Sequence, residues 1–230
     1  MTAVTQQAPS DSMPEQIARA AAHVAAGGIL ALPTDTVYGL GVRADDAAAV
    51  SRLLAAKGRG RAMPPPVLVA DASRLDGIVA RIPDAARALM EAFWPGALTL
   101  VLDAAPGLGW DLGDTGGTIA VRMPDHPLAL AVLRATGPMA VTSANATGRP
   151  PATDAAGVRA AFPGRVVDVA GAPRPGAIGA VPTQIRLLDG GPTPGSVPST
   201  IISLAGARAQ SPAMLREGAI TRAQLEGLGA

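Results

Sequence analysis

The sequence predicts an α/β (α+β) fold in which helices pack on a twisted mixed sheet. Short continuous apolar runs, such as residues 29–32 and 139–142, are typical of buried strands. Between them lie segments whose apolar residues recur at helical spacing, and a chain that alternates the two builds a sheet covered by helices. The 230 residues suffice for one large domain, which we expect to span residues 13–230 behind a flexible tail of residues 1–12.

The first helix is predicted to begin after Ser12. Glu15 lies three residues further on, which is the capping-box spacing, and Gly27-Gly28 ends the helix. A buried strand over residues 29–32 follows. It leads into a predicted loop over residues 33–41 that is rich in hydroxyl groups and glycine.

The second helix is predicted over residues 46–57. Its inward stripe consists of Val50, Leu53 and Leu54, and Lys57 continues that stripe. A lysine at the end of an inward face suggests that its side chain meets a cleft and not open solvent.

The rest of the chain continues the alternation. Further strands are predicted at residues 67–69, 97–102, 118–121, 139–142, 166–169, 184–188 and 200–204. Further helices are predicted at residues 84–94, with Asp84 as the cap, at residues 126–136, and from Thr221. Stretches rich in proline and glycine predict loops at residues 104–117, 171–182 and 190–198.

The composition excludes several classes of function. The net charge is +1, so no overall field draws the protein to nucleic acid or a membrane surface. The absence of cysteine excludes thiolate catalysis and cysteine zinc sites, and two histidines far apart in sequence do not favour a metal site. No apolar run is long enough to cross a bilayer, and residues 1–12 lack the apolar core of a signal peptide. We therefore expect a soluble cytoplasmic protein.

Two residue types occur once each. Lys57 is the only lysine beside eighteen arginines, and Asn145 is the only asparagine. Lysine carries a compact point charge whereas arginine is a planar fork, so a lone lysine can mark a place where guanidinium does not serve. From counts alone, compositional accident explains it equally well. If both side chains serve one cleft, that cleft binds phosphate or carboxylate.

Polar residues suited to anions gather in four segments, at residues 34–36, 57–61, 118–122 and 143–145. Ligands of open α/β sheets bind beyond the carboxyl ends of the strands, so we expect these segments to converge. Lys57 and Arg59 could clamp a polyphosphate. Other interpretations stay open, because Arg122 could form a surface ion pair and Ser143 with Asn145 a simple turn. The sequence contains no Walker A motif and no Gly-x-Gly-x-x-Gly after a strand.

Taken in chain order, several motifs resemble those of one family. They are Pro33-Thr34-Asp35-Thr36-Val37-Tyr38-Gly39-Leu40-Gly41, Lys57-Gly58-Arg59, Phe93-Trp94-Pro95-Gly96-Ala97-Leu98-Thr99, Val121-Arg122-Met123-Pro124, Ser143-Ala144-Asn145 and Ser199-Thr200. The set is similar to the YrdC/TsaC family of L-threonylcarbamoyl-AMP synthases, over about residues 15–220. We expect the single-domain form, without the second C-terminal domain of longer members.

The resemblance implies a nucleotidyltransferase. Threonine and bicarbonate would give an N-carboxylated threonine, whose carboxylate attacks the α-phosphate of ATP and releases pyrophosphate. The product, threonylcarbamoyl-AMP, would pass to a downstream tRNA threonylcarbamoyl transferase. Mg²⁺ is expected with ATP, and no metal site built from protein ligands is expected.

The same resemblance implies roles for individual residues. The catalytic set maps to Lys57, Arg59, Ser143 and Asn145. Threonine contacts map to Thr36, Arg122 and Val141, and a guanidinium fork suits the amino-acid carboxylate. Nucleotide contacts map to Arg59, Thr118, Ser143, Asn145 and Ser199.

The chain departs from the family pattern at three positions. Met63, Leu68 and Pro151 stand where the family often has Asn, His and Ser. The departures affect one nucleotide contact, one threonine contact and one further ATP contact, and a nearby cation such as Arg61 could compensate.

Two other functions stay open. One is a non-catalytic module of the same fold that binds double-stranded RNA. The near-neutral charge and the scarcity of aromatic residues predict that any such binding is weak. The other is a carbamoyl-adenylate-forming domain of the hydrogenase-maturation type, although the chain lacks the zinc-finger cysteines of those proteins.

Overall fold

The computed structural model describes residues 11–170 and 184–226. Most of the predicted tail, residues 1–10, and the predicted loop at residues 171–182 lie outside the described residues. The last two residues assigned to the tail contact the first helix. Asp11 pairs with Arg19 at 2.9 Å, and Ser12 donates through its backbone N–H and its hydroxyl to the carboxylate of Glu15, at 2.8 and 2.7 Å. The predicted capping interaction of Ser12 with Glu15 is therefore confirmed.

Helices are interspersed with single strands and with runs of two or three strands along the described residues. The helices are α1 (Met13–Ala25), α2 (Ala47–Ala56), α3 (Asp84–Phe93), α4 (Pro127–Thr136), α5 (Ala155–Ala161) and α6 (Arg222–Glu226). The strands are β1 (Ile29–Leu32), β2 (Gly39–Arg43), β3 (Val67–Leu68), β4 (Leu98–Asp103), β5 (Thr118–Arg122), β6 (Met139–Ser143), β7 (Val166–Asp168), β8 (Ile185–Leu187), β9 (Thr200–Ser203) and β10 (Ala213–Arg216). In the described part of the chain, no helix is both long enough and apolar enough to cross a membrane.

The predicted elements are present to within one or two residues. Five elements were not predicted: β2, α5, β10 and two short 3₁₀ helices, Ala72–Leu75 and Gly206–Ala209. Residues 33–41 were predicted as a loop, which is wrong from Gly39 onward. Glycine weakens the sequence signal of a strand, yet the packing demands it here. A Cβ at Gly39 would lie 2.6 Å from Cγ1 of Val141, and one at Gly41 would lie 2.7 Å from Cε of Met139.

The prediction that Asp84 caps α3 is also wrong. Pro83 holds the cap position, and Asp84 is the first helical residue. A carboxylate there still suits the positive end of the helix.

The ten strands form one mixed sheet in the order β10-β9-β4-β5-β3-β6-β2-β1-β8-β7. Antiparallel pairs such as β4–β5 and β2–β6 alternate with parallel pairs such as β3–β5 and β4–β9. The predicted mixed sheet is therefore confirmed. Because the strands run in both directions, the same end of the sheet carries the first residues of some strands and the last residues of others.

Side-chain alternation gives the sheet two different faces. Leu98, Leu100 and Leu102 of β4 enter the larger hydrophobic core, which includes residues of α2 and α3. On the opposite face, Leu30 and Leu32 of β1 belong to a smaller cluster with residues of α1 and α4. The smaller cluster covers only part of this face, and the rest of it forms the wall of a cavity.

One buried hydroxyl makes three hydrogen bonds with the segment after β10. Thr200 is fully buried; its hydroxyl donates to the carbonyl of Ile220 at 2.5 Å and accepts the N–H groups of Gly218 and Ile220 at 2.9 and 3.0 Å. We predict that Thr200→Val lowers the free energy of unfolding by about 1–3 kcal/mol, because two donors and an acceptor lose their partner. Urea unfolding measures the change. Thr200→Ser retains the hydroxyl and should lose clearly less; an equal loss in both variants would contradict this account.

Candidate active site

A cavity of about 370 Å³ opens on the face of the sheet opposite the larger core. Its wall is formed by alternate residues of the central strands: Thr99, Val101, Thr118, Ala120, Arg122, Val141 and Ser143. Loop residues complete it, including Thr34, Thr36, Leu112, Thr115, Pro198 and Ser199. The sheet therefore presents polar side chains at fixed spacing to a largely apolar enclosure.

Seven of the nine residues implied by the family resemblance line this cavity. They are Thr36, Arg59, Thr118, Arg122, Val141, Ser143 and Ser199. The other two, Lys57 and Asn145, lie directly behind Ser143. The expected convergence is confirmed, although not only at carboxyl ends of strands: Ser199 precedes β9, and its hydroxyl lies 2.9 Å from that of Thr99 within β4.

The end of α2 separates the two cations of the Lys57-Gly58-Arg59 motif. Gly58 has φ +61°, a left-handed conformation that glycine adopts without strain. The N–H of Gly58 donates to the carbonyl of Ala55 at 3.1 Å, and the N–H of Arg59 donates to that of Leu54 at 2.9 Å, which is the Schellman arrangement. This turn leaves Lys57 against β6 while Arg59 reaches the cavity.

Lys57 is 6% exposed and is held by the turn that follows β6. Its ammonium donates to the carbonyl of Ser143 at 2.5 Å and to Oδ1 of Asn145 at 3.1 Å. The hydroxyl of Thr147 donates to the backbone carbonyl of Lys57 at 2.9 Å. The expectation that Lys57 avoids open solvent is confirmed, but its ammonium lies behind the cavity wall and not in it.

Burial and, to a smaller extent, the neighbouring charge of Arg59 lower the pKa of Lys57 from 10.5 to about 8. Both causes disfavour the charged form. The carbonyl oxygen of Ser143 and Oδ1 of Asn145 favour it, because each accepts a hydrogen bond from the ammonium. The ammonium is therefore still mostly protonated at neutral pH but close to its titration range.

Asn145 organises the turn around Ser143. Its Oδ1 accepts the hydroxyl of Ser143 at 2.5 Å, and its amide donates to the carbonyls of Ala146 and Arg149 at 3.0 and 2.6 Å. Both interpretations of this segment hold, because Ser143 and Asn145 do form a turn and the turn also delivers the Ser143 hydroxyl to the cavity.

Arg122 is 5% exposed, so the surface ion pair that we left open is wrong. Its guanidinium donates to Asp35 at 2.7 Å, to the hydroxyl of Thr36 at 3.1 Å and to the carbonyl of Gly96 at 2.9 Å. Three partners from two loops fix the fork in the cavity wall. The Asp35–Arg122 pair is desolvated, so removal of one partner would leave the other charge uncompensated.

Two further guanidinium groups line the cavity. Arg59 donates to the hydroxyl of Thr142 at 3.0 Å, and Arg216 donates to the carbonyl of Ser199 at 2.6 Å. Within residues 11–170 and 184–226, neither has a carboxylate within 4.0 Å. Burial lowers the pKa of both, and the charges of Arg122 and Arg59 lower that of Arg216 further. A cavity with this excess of positive charge is suited to a polyanion.

Arg216 was missed at the level of sequence because β10 was not predicted. The signal was present: the run Ala213-Met214-Leu215 ends in arginine, as the strand before Arg122 does. Both short apolar runs end in a cation, so residues 213–216 carry the same strand signal as the residues that lead to Arg122.

The departures from the family pattern fall in different surroundings. Leu68 is 3% exposed and lines the cavity, whereas Met63 is 46% exposed and neither it nor Pro151 belongs to the lining. Arg61 does not compensate, because it pairs with Asp111 at 2.7 Å and with Asp114 at 3.4 Å outside the cavity.

The described residues contain no group of three or more His, Cys, Asp or Glu side chains that could hold a metal ion. The carboxylate of Asp35 already pairs with Arg122, which lines the cavity. The chemistry of the cavity wall is therefore that of an anion site, with hydroxyl and guanidinium donors.

The sequence is similar to those of known proteins over nearly its whole length. The family model Sua5_yciO_yrdC, described as "Telomere recombination", matches residues 22–218. A Mycobacterium leprae protein provisionally named threonylcarbamoyl-AMP synthase is 44% identical over 225 residues, covering 98% of this chain and 93% of that protein. The threonylcarbamoyl-AMP synthase of Bacillus subtilis is 40% identical over 215 residues, covering 93% of this chain and 56% of that protein.

A solved structure shares the fold. Pyrococcus abyssi Sua5 in complex with L-threonine superposes with a TM-score of 0.76 at 33% identity, covering 94% of this chain and 58% of that chain. The present chain thus spans nearly all of the mycobacterial relative and a little over half of the B. subtilis and P. abyssi proteins.

Lys57 offers a direct test of the site's electrostatics, because it is the only lysine in the chain. Protein labelled with ¹³C at lysine Cε should show one lysine signal that titrates near pH 8, and in urea the same signal should return to about 10.4. The native state would then hold fewer protons than the unfolded state between these values. The contribution of Lys57 to the free energy of unfolding should therefore rise with pH across that window. A native midpoint at or above pH 10 would contradict the buried placement.

Proposed function

The chain belongs to the Sua5/YciO/YrdC family, and we propose that it is a threonylcarbamoyl-AMP synthase in which Arg59, Arg122 and Arg216 hold the substrates. The observation that carries this proposal is the cavity lined by those three guanidinium groups, only one of which has a carboxylate partner among the described residues. The enzyme uses L-threonine and ATP, as the names of its relatives and the threonine complex of P. abyssi Sua5 support. We expect bicarbonate to be the third substrate.

Threonine would bind beside Thr36, Arg122 and Val141, which line the cavity. The guanidinium of Arg122 is fixed by Asp35, Thr36 and Gly96, so its orientation is set before a ligand arrives. Its remaining N–H groups would donate to the amino-acid carboxylate, with the hydroxyl of Thr36 beside it. A prepositioned fork costs little ordering entropy when the carboxylate binds.

ATP would bind on the side of Arg59, Thr118 and Ser199, with Arg216 beside Ser199. The carboxylate of the N-carboxylated threonine attacks the α-phosphorus, the bond to the bridging oxygen breaks, and pyrophosphate leaves with the bonding electrons. Charge builds on the phosphoryl oxygens during this step. Fixed guanidinium and hydroxyl donors in a cavity of low polarity stabilise that charge.

Lys57 and Asn145 would act through Ser143 and through charge. Their hydrogen bonds to the Ser143 carbonyl and hydroxyl set the direction of that hydroxyl in the cavity. The ammonium also contributes positive potential from one side chain behind the wall. The lysine side chain ends in a compact donor that fits between two oxygens, a place for which a planar fork has the wrong shape.

A divalent cation, which we expect to be Mg²⁺, would arrive on the ATP phosphates. The described residues offer no cage of carboxylates for it, and Mg²⁺ in nucleotide sites is commonly held largely by phosphates and water. The product would be consumed by a tRNA threonylcarbamoyl transferase. The cytoplasm, which contains ATP and tRNA, is the compartment that this function implies.

The placement of the cations favours catalysis over recognition of double-stranded RNA. Arg59, Arg122 and Arg216 converge inside one cavity, whereas a protein that binds a duplex presents its cations along an open surface. Only about 2% of the residues are aromatic, so stacking on bases has few candidates.

The test of the proposed function is release of pyrophosphate from ATP. Release should require threonine, should fall when bicarbonate is removed by degassing at low buffer carbonate, and should recover when it is restored. The threonine methyl ester is the matched control, because it lacks the carboxylate that Arg122 would bind. Turnover that is independent of threonine would contradict the proposal.

Arg122→Lys tests the threonine side of the cavity. A lysine keeps a positive charge for Asp35 but loses the fork, so we predict that the KM for threonine rises about 10- to 100-fold while the KM for ATP changes little. Steady-state kinetics with each substrate varied in turn measure both constants. An unchanged thermal unfolding midpoint controls for misfolding. Equal rises in both KM values would assign Arg122 a structural role or a contact with the nucleotide.

A further inference from the structure

Tyr38 is the only tyrosine of the chain and lies fully buried in the wall of the cavity. Its hydroxyl donates to the carbonyl of Gly191 at 2.8 Å, with Oδ1 of Asp189 at 3.2 Å, and it accepts the N–H of Gly190 at 3.3 Å. A phenol with three polar neighbours from one segment is more than a packing residue. It holds that segment at a defined distance from β2.

The held segment, residues 189–195, is here called the strap. It runs from the end of β8 across the loop that follows β1, and two further contacts fix it. The N–H of Thr193 donates to the carbonyl of Thr153 at 2.7 Å. Gly195 lies so close to that loop that a Cβ would be 2.9 Å from the carbonyl oxygen of Asp35 and 3.2 Å from that of Thr36.

The strap therefore touches the backbone of the two residues that hold Arg122. Asp35 accepts from the guanidinium of Arg122 at 2.7 Å, and the hydroxyl of Thr36 accepts from it at 3.1 Å. The carbonyls of both residues face Gly195. The strap and Arg122 thus contact this loop from two directions, in addition to the hydroxyl of Thr34, which bonds the N–H and the hydroxyl of Thr36 at 3.2 and 3.0 Å. A shift of the strap would release one of these restraints.

The backbone of Tyr38 connects the same tyrosine to the Ser143 turn. Its carbonyl accepts the N–H of Ala144 at 2.7 Å, and its N–H donates to the carbonyl of Ala152 at 2.9 Å. Because the backbone is held independently, removal of the hydroxyl should loosen the strap while leaving the Ser143 turn in place. Experiments can therefore test the strap and the Ser143 turn separately.

We infer that Tyr38 is a positioning residue for threonine: its hydroxyl fixes the strap, and the strap holds the Asp35–Thr36 loop in the geometry in which Arg122 and Thr36 receive the amino acid. The identity of the amino acid rests on the proposed function. Burial raises the pKa of Tyr38 to about 12, so the hydroxyl remains a neutral donor at any pH at which the enzyme works.

The experiment compares Tyr38→Phe and Gly195→Ala with the wild type. The first variant removes only the hydroxyl, and the second pushes the strap from the loop while Tyr38 stays intact. Thr136→Val is the matched control, since it deletes a half-buried hydroxyl at the end of α4 that bonds only to Val132 and Gly137. The measurements are threonine affinity by calorimetry, KM for threonine and for ATP, and hydrogen exchange of the strap amides.

We expect Tyr38→Phe to weaken threonine binding about 3- to 10-fold, the value of one hydrogen bond of ordinary strength, with the KM for ATP unchanged. Gly195→Ala should show the same selectivity, and the strap amides should exchange faster in Tyr38→Phe but not in Thr136→Val. Unchanged exchange, or faster exchange with unaltered threonine affinity, would overturn the inference. A loss shared equally by threonine and ATP would also overturn it. If the wild type itself does not bind threonine, the proposed function fails, and the exchange data still report whether Tyr38 fixes the strap.

Discussion

The buried ammonium of Lys57 is the interaction on which the rest of the site depends. It joins the end of α2 to the end of β6 by donating to the carbonyl of Ser143 and the side chain of Asn145. Burial of that charge is unfavourable, as the lowered pKa records, and it persists because the surrounding oxygens need a donor. The geometry of the Ser143 hydroxyl, and with it one end of the cavity, follows from this contact.

The arginines of the cavity carry a second electrostatic cost. Burial disfavours the charged form of Arg59, Arg122 and Arg216, and the charges of Arg122 and Arg59 add to that cost at Arg216. Asp35 offsets the charge of Arg122 alone. Such a site holds its donors in place before the ligand arrives, and the negative charge of that ligand supplies the missing compensation. The buried positive charges thus destabilise the free site, and binding of a negatively charged substrate relieves that cost.

The elements that were predicted from the sequence have stronger apolar patterns than those that were not. Ile29–Leu32 and Ala47–Ala56 carry continuous or periodic apolar patterns and were predicted. The strand Gly39–Arg43 was not predicted because its glycines weaken the strand pattern. Those glycines are needed because the side chain of Val141, on a strand about a hundred residues later, leaves no room for a Cβ. Arg216 stands on a four-residue strand that is half exposed, and its short apolar run was not recognised as a strand. For Gly39–Arg43, the missing information was a neighbour distant in sequence.

The sequence by itself determined the positions of most strands and helices and most of the polar residues that gather at the cavity, because these depend on local propensity and on motifs read in order. Only the tertiary structure decided where each charge lies. It placed Lys57 behind the wall, Arg122 in a buried pair with Asp35, and the strap under the hydroxyl of Tyr38. Burial and partner choice are set by residues far apart along the chain, and the cost of a desolvated charge depends on the oxygens that the fold brings to it.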